Sequence, residues 1–254
     1  MREICHSDLR GRLMGVGRKQ RNGILITFEG VEGSGKTTQL RRLATLLRQD
    51  GYRVVETREP GGTAVAERIR EILLGAPGKH PVLEPLTASC EAHLILAARS
   101  QHVTHVIEPA LQAGSIVLCD RFSDSTLAYQ GYGRGLNLAA LQDMNRLSTN
   151  GLEPSLTLLF DVPVATGLMR RRKFAMEQNR LDHETHDFHE KVRKGFLALA
   201  ARAPRRVKKI DGLPHPETVA VTVAEIVRAF LTKTRAKRLR PVAQTQRLRL
   251  HRQR

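Results

Sequence analysis

The 254-residue chain is long enough to bury a full α/β core, and it carries a formal charge of +17, with 42 Lys and Arg against 25 Asp and Glu. Trp is absent and aromatics are scarce, so the core has to be aliphatic. Cys5, Cys90 and Cys119 form no CxxC pair, which argues against a zinc site or a disulfide scaffold and suits a reducing, cytoplasmic setting, and no apolar run approaches the roughly 18 residues of a membrane span.

The charge sits at the ends. Residues 1–22 carry a net +4 and residues 232–254 a net +9 with no acid, so the body between them holds only +4. Both ends read as basic, disordered extensions, 1–22 before the domain and 232–254 after it. The N-terminal stretch lacks a secretory h-region; a weak transit-peptide likeness and an early-assigned start, with Met14 the true one, explain it equally well. The C-terminal tail is a candidate for weak, salt-sensitive binding to nucleic acid or another polyanion.

Ile24-Leu25-Ile26-Thr27-Phe28 is an apolar, β-rich run that reads as a buried strand. Gly30-Val31-Glu32-Gly33-Ser34-Gly35-Lys36-Thr37-Thr38 follows and fills every fixed position of the phosphate-binding pattern Gly-x4-Gly-Lys-[Ser/Thr]. Leu40, Leu43, Leu46 and Leu47 then recur at helical spacing as far as Gln49. A strand, a Gly-rich turn and a helix N-terminus aim several backbone N–H groups at one anion. Lys36 would reach the β- and γ-phosphates of a nucleoside triphosphate such as ATP, and the Thr37 hydroxyl would ligate Mg2+.

Strand two is predicted at 53–57, followed by the loop Arg58-Glu59-Pro60-Gly61-Gly62-Thr63 and a helix over 64–74. Residues 75–85 read as irregular, with three prolines, and 86–112 as one long helix bent or broken near Glu108-Pro109. Ser115 to Cys119 is a buried strand ending at Asp120-Arg121-Phe122, and Cys90 and Cys119 read as small buried filler. A Gly-rich segment, Gly131 to Gly135, precedes a helix over 138–149. Then come a strand at 156–160, a basic helix from Pro163 to Met176, a helix over 183–203, a strand at 206–210 and a last helix over 216–232. Strands alternating with helices imply a doubly covered parallel sheet, whose ligands sit at the carboxyl ends of the strands. Asp120 at such an end is placed to serve Mg2+, and Arg121 beside it to pair with a phosphate.

The arrangement resembles the thymidylate kinases of bacterial type. The resemblance rests on Phe28 to Thr38, Thr57-Arg58-Glu59-Pro60-Gly61-Gly62-Thr63, Ala97-Ala98-Arg99, the run from Asp120 to Gly131, and Gln178-Asn179-Arg180-Leu181-Asp182. It covers about residues 23–231, read as one kinase domain with a lid at about 168–182. It implies a three-layer P-loop fold with a five-stranded parallel sheet, transfer of the γ-phosphoryl group of ATP to dTMP with Mg2+, and a homodimer. By position it implies that Arg58 and Arg121 hold the dTMP phosphate, and that Arg99 and Ser125 face the thymine. Tyr129 would pack against the sugar with Gln130 nearby, Glu59 would belong to the substrate side, and Glu32 would lie near the sugar or the phosphates.

Two positions depart from the family pattern. Ile95 stands where members commonly stack an aromatic ring on the thymine, and an aliphatic residue packs there without ring stacking. Met176 stands where the lid commonly supplies a catalytic arginine; Arg170, Arg171, Arg172 and Lys173 crowd the lid instead, with Arg172 and Lys173 favoured as substitutes by proximity. Two other readings remain: a kinase of another nucleoside monophosphate, separated by comparing dTMP, dUMP and UMP turnover, and a nucleotide-dependent nucleic-acid-binding or regulatory protein on the same fold. The complete run from Asp120 to Gly131 would have no purpose in the second.

Overall fold

The computed structural model describes residues 21–75, 84–173 and 180–235. Most of the two basic extensions, most of the 75–85 stretch and residues 174–179 of the expected lid, including Met176, lie outside this range.

The strands are β1 (Ile24–Glu29), β2 (Val54–Arg58), β3 (Ile116–Asp120), β4 (Leu156–Asp161) and β5 (Val207–Asp211). The helices are α1 (Lys36–Gln49), α2 (Ala64–Leu74), α3 (Ala88–His102), α4 (Glu108–Gln112), α5 (Ser123–Thr126), α6 (Leu138–Ser148), α7 (Val164–Lys173), α8 (His186–Arg202) and α9 (Pro216–Arg235). The strands form one sheet in the order β2-β3-β1-β4-β5, all parallel.

Side chains alternate across a strand, so β1 feeds both faces of the sheet. Ile24, Ile26 and Phe28 pack with Leu40, Leu43 and Leu47 of α1 and Val219, Val223 and Val227 of α9. Leu25 faces the other way, onto Val103, Ile107 and Leu111. Every residue of β1 is buried, which places the phosphate loop at the end of the most deeply covered strand. Further along that second face, Tyr129, Phe188, Val192 and Phe196 close a separate apolar cluster over Leu159.

Each strand runs one residue past the end expected from the sequence and stops on a charged one: Glu29, Arg58, Asp120, Asp161 and Asp211. Backbone pairing continues there, with Phe28 and Arg58 both in register with Asp120. Arg58 is therefore the last residue of an edge strand rather than the first of a loop.

The helix expected over 86–112 starts at Ala88, capped by Thr87, and is not broken at Pro109. It widens into a π-helical turn, Val103–Ile107, and continues as α4. Proline has no N–H and its ring crowds the carbonyl four residues back, and the wider turn just ahead accommodates both. The segment Leu127–Gly133 is a second π-helical turn, which takes in part of the Gly-rich segment Gly131 to Gly135. Gly131 and Gly133 leave room there for the side chains of Leu138 and Phe188. Cys119 is buried as expected, but Cys90 is exposed, because the first turn of α3 stands at the surface.

Candidate active site

The carboxyl edge of the sheet borders a cleft of about 1250 Å3. At one end lies the phosphate loop. Gly35 takes φ 96° at the start of α1, and Gly33 takes φ 67° where an added Cβ would meet the Gly167 carbonyl at 2.0 Å. Only glycine suits either position, and the result is a turn whose amides converge at a helix N-terminus. Lys36 Nζ bonds back to the Val31 carbonyl at 2.7 Å and to Ser34 Oγ at 3.3 Å, so the ammonium spans the loop. Burial, and then Arg121, push the Lys36 amine down to about 8. Thr37 Oγ1 donates to the Asp120 carboxylate, which brings two hard oxygen donors together at the mouth of the loop. Such a pair suits Mg2+, which binds through few protein oxygens and keeps much of its water.

Arg121 follows Asp120 with φ 69°, a left-handed conformation that costs a non-glycine residue about 1–3 kcal/mol and persists only where the surroundings impose it. Its guanidinium bonds the Gly30 carbonyl at 3.0 Å, Ser125 Oγ at 3.3 Å and Glu32 Oε1 at 2.9 Å, and lies 5.0 Å over the Tyr129 ring. The Tyr129 hydroxyl donates to both Glu32 oxygens at 2.7 Å. Burial opposes ionisation of Glu32, but Arg121 and Lys36 outweigh it and hold the carboxyl below its ordinary value. Burial, with Glu32 adding to it, keeps the Tyr129 phenol protonated well above its usual range. Arg58 is half-exposed and pairs with Glu67 at 2.9 Å. Arg70, which the sequence did not single out, also lines the cleft; burial and the nearby Arg58 depress its ordinarily high value. Arg58, Arg70, Arg121 and Lys36 thus crowd one end of the cleft, where an anion would relieve their repulsion.

The other end is built on Arg99, which is 1% exposed. Its Nε donates to Glu59 Oε2 at 2.7 Å, and its Nη1 donates to Thr126 Oγ1 at 2.7 Å and Asn145 Oδ1 at 2.6 Å. Glu59 gives its other oxygen to His102 Nδ1 at 3.0 Å, so this carboxylate braces Arg99 from behind. The hydroxyl beside Arg99 is that of Thr126, whereas Ser125 stands with Arg121. Gln130 Nε2 donates to Glu91 at 2.7 Å, and Ile95 lines the same wall.

A family model described as thymidylate kinase matches residues 28–223. The chain is 47% identical over 216 residues to the thymidylate kinase of Desulfovibrio desulfuricans, covering 83% of this chain and 97% of that protein. It is 50% identical over 207 residues to the thymidylate kinase of Thermomicrobium roseum, covering 80% and 95%. The crystal structure of thymidylate kinase from Ehrlichia chaffeensis superposes with a TM-score of 0.63 at 33% identity, covering 81% of this chain and 98% of that one. The chain belongs to the thymidylate kinase family. It is thus an enzyme of the nucleoside-monophosphate kinase kind on a P-loop fold, and among the described residues no helix is long and apolar enough to cross a membrane.

The last turn of α7 is Arg170 to Lys173, the start of the stretch expected as a lid. Arg170 donates to the Gly212 and Leu213 carbonyls at 2.7 and 3.1 Å, and Arg171 to Asp182 at 2.6 Å. Lys173 is exposed and lines the cleft, whereas Arg172 is not among the lining residues. Further along the chain, Arg180 reaches Glu91, which also binds Arg134 at 3.1 Å. Thr126 and Arg70 are among the cleft residues that sequence reasoning passed over. The signal for Thr126 was its place in the run from Asp120 to Gly131; Arg70 had none beyond a cation in α2.

Proposed function

We propose that this chain transfers the γ-phosphoryl group of ATP to dTMP, with residues 23–231 as the catalytic unit. The observation that carries the reading is one cleft with two cationic centres, Lys36 in the phosphate loop and the cluster of Arg58, Arg70 and Arg121, meeting at Thr37 and Asp120. Phosphoryl transfer asks chiefly for positioning and charge neutralisation, and this arrangement offers both.

Lys36 and the amides of Gly30 to Thr38 would hold the ATP phosphates. Thr37 and Asp120 would hold Mg2+, which supplies neutralisation of phosphate charge when bound. Arg121, Arg58 and Arg70 would receive the dTMP phosphate, with Ser125 beside them. Arg99 and Thr126 would face the thymine over Ile95, with Gln130 at the edge of the same pocket. Tyr129, tied to Glu32, would close the sugar pocket where a ribose 2′-hydroxyl would protrude. As the lid closes, Lys173 would approach the transferring phosphate in place of an arginine at Met176, while Arg170 and Arg171 keep α7 in place. A homodimer fits Val65 and Ile72, exposed seven residues apart on one face of α2.

The test is steady-state turnover with ATP and Mg2+, offering dTMP, dUMP and UMP separately. The expected order is dTMP, then dUMP, then UMP. Turnover that favours UMP, or tight dTMP binding with no product, would overturn the reading.

A further inference from the structure

Arg121 is useful to an anion only while its backbone stays left-handed, and three consecutive residues leading into the phosphate loop keep it so. The Phe28 carbonyl accepts the Arg121 N–H at 3.0 Å, and the Gly30 carbonyl accepts its Nη1 at 3.0 Å. Between them, the Glu29 side chain reaches across from β1 to β3. Its Oε1 accepts the Phe122 N–H at 2.8 Å, and its Oε2 lies 2.5 Å from Ser125 Oγ. Helix α5 has no side-chain cap at Phe122, and Glu29 accepts the N–H of that capping residue from another strand, the bond that the glutamate of a capping box makes within a helix. Glu29 is 1% exposed and is not among the residues lining the cleft.

We infer that Glu29 is a positioning residue for the acceptor phosphate: its carboxyl group clamps Phe122 N–H and Ser125 Oγ, and so holds Arg121 and Ser125 where they receive dTMP. The inference rests on the kinase reading above. It separates Glu29 from a general core anchor such as the Asp124–Arg206 pair, at 2.6 Å, which grips α5 without touching Arg121. A side chain at the root of the phosphate loop thereby serves the acceptor site rather than the donor site.

The experiment compares the full-length native chain with Glu29→Ala, Glu29→Asp and Glu29→Gln. It reads KM for dTMP and for ATP, kcat, and dTMP affinity by calorimetry. Losing the clamp in Glu29→Ala should raise KM and Kd for dTMP by about tenfold or more while ATP KM stays within about twofold. Glutamine presents the same acceptor to Phe122 and its amide N–H to Ser125, so Glu29→Gln should return to within about threefold of native. Unchanged dTMP parameters in Glu29→Ala, or equal rises in both KM values, would overturn the inference. If Glu29→Ala does not fold, the aspartate carries the test, being one methylene too short to reach both partners. A rise in dTMP Kd for aspartate but not glutamine supports the clamp; no rise in either, or an equal rise in both, sinks it. A native chain that does not bind dTMP sinks the kinase reading itself, a failure visible before any variant is compared.

Discussion

Two parts of the cleft wall hold their cations in opposite ways. Arg99 is buried and fully braced, with Glu59, Thr126 and Asn145 within 2.7 Å. The last turn of α7 carries four cations in a row: Arg170 and Arg171, half-buried and tied to backbone carbonyls and to Asp182, then Arg172 and Lys173, exposed at the surface, with Lys173 presented to the cleft. A buried charge survives only with fixed partners, so its geometry is set before substrate arrives. A surface charge is already solvated and can be recruited when a lid closes, at little cost to the fold. Removing the first kind should damage structure and function together. Removing the second should cost rate alone.

The sharpest way to break this contrast is at Arg99. Arg99→Ala leaves Glu59 buried beside His102 without its guanidinium partner, and the loss should be about 3–5 kcal/mol of stability. Urea unfolding would measure it, and a loss under about 1 kcal/mol would mean that the network is not the brace described. Arg99→Lys should recover only part, because an ammonium cannot meet Glu59, Thr126 and Asn145 in one plane.

A second buried group sharpens the same side through pH. Burial, with Asp124 adding to it, pushes the Glu29 carboxyl up to about 8 from 4.5. Between those values the unfolded chain has lost a proton that the folded chain keeps, so stability falls as pH rises through this window. The steepest slope from one such group is about 1.4 kcal/mol per pH unit. Glu29→Gln has no such proton, so its stability relative to native should grow from pH 5 to pH 8 and then level off. Unfolding curves at four pH values would show it; parallel pH profiles would place the Glu29 carboxyl in a far more polar setting.

What the sequence revealed follows the same division between local and distant causes. The phosphate loop was legible because its chemistry fixes glycines, a lysine and a threonine within nine consecutive residues. All five strands were legible, β1, β3 and β4 as apolar runs, but their last residues were not, since Glu29, Arg58, Asp120, Asp161 and Asp211 are charged and pair through backbone. The strand order left no local trace. Neither did the brace on Arg99, whose partner Glu59 lies 40 residues away. Nor did the sequence show that Arg121 bonds Ser125 while Arg99 bonds Thr126, one residue on, though all three side chains line the same cleft as Arg99. A π-helical turn begins immediately after Thr126, and no hydrophobic period announces it.

The smallest effect is expected at the surface part of the cleft wall, and it decides which lid cation acts. Lys173 lines the cleft from the last residue of α7, whereas Arg172, one residue earlier, points elsewhere on the same helix. Lys173→Ala should therefore lower kcat by about tenfold, equivalent to about 1.4 kcal/mol of transition-state stabilisation, with dTMP and ATP KM little changed. Arg172→Ala should change kcat by less than about twofold, and neither variant should lower Tm, because both side chains are exposed. The pattern of rate and stability matters more than either number. A Lys173→Ala variant that loses stability as well as rate would place that lysine with the braced, buried cations. An Arg172→Ala variant with the larger rate loss would mean that closure turns α7, bringing a different face of it over the transferring phosphate.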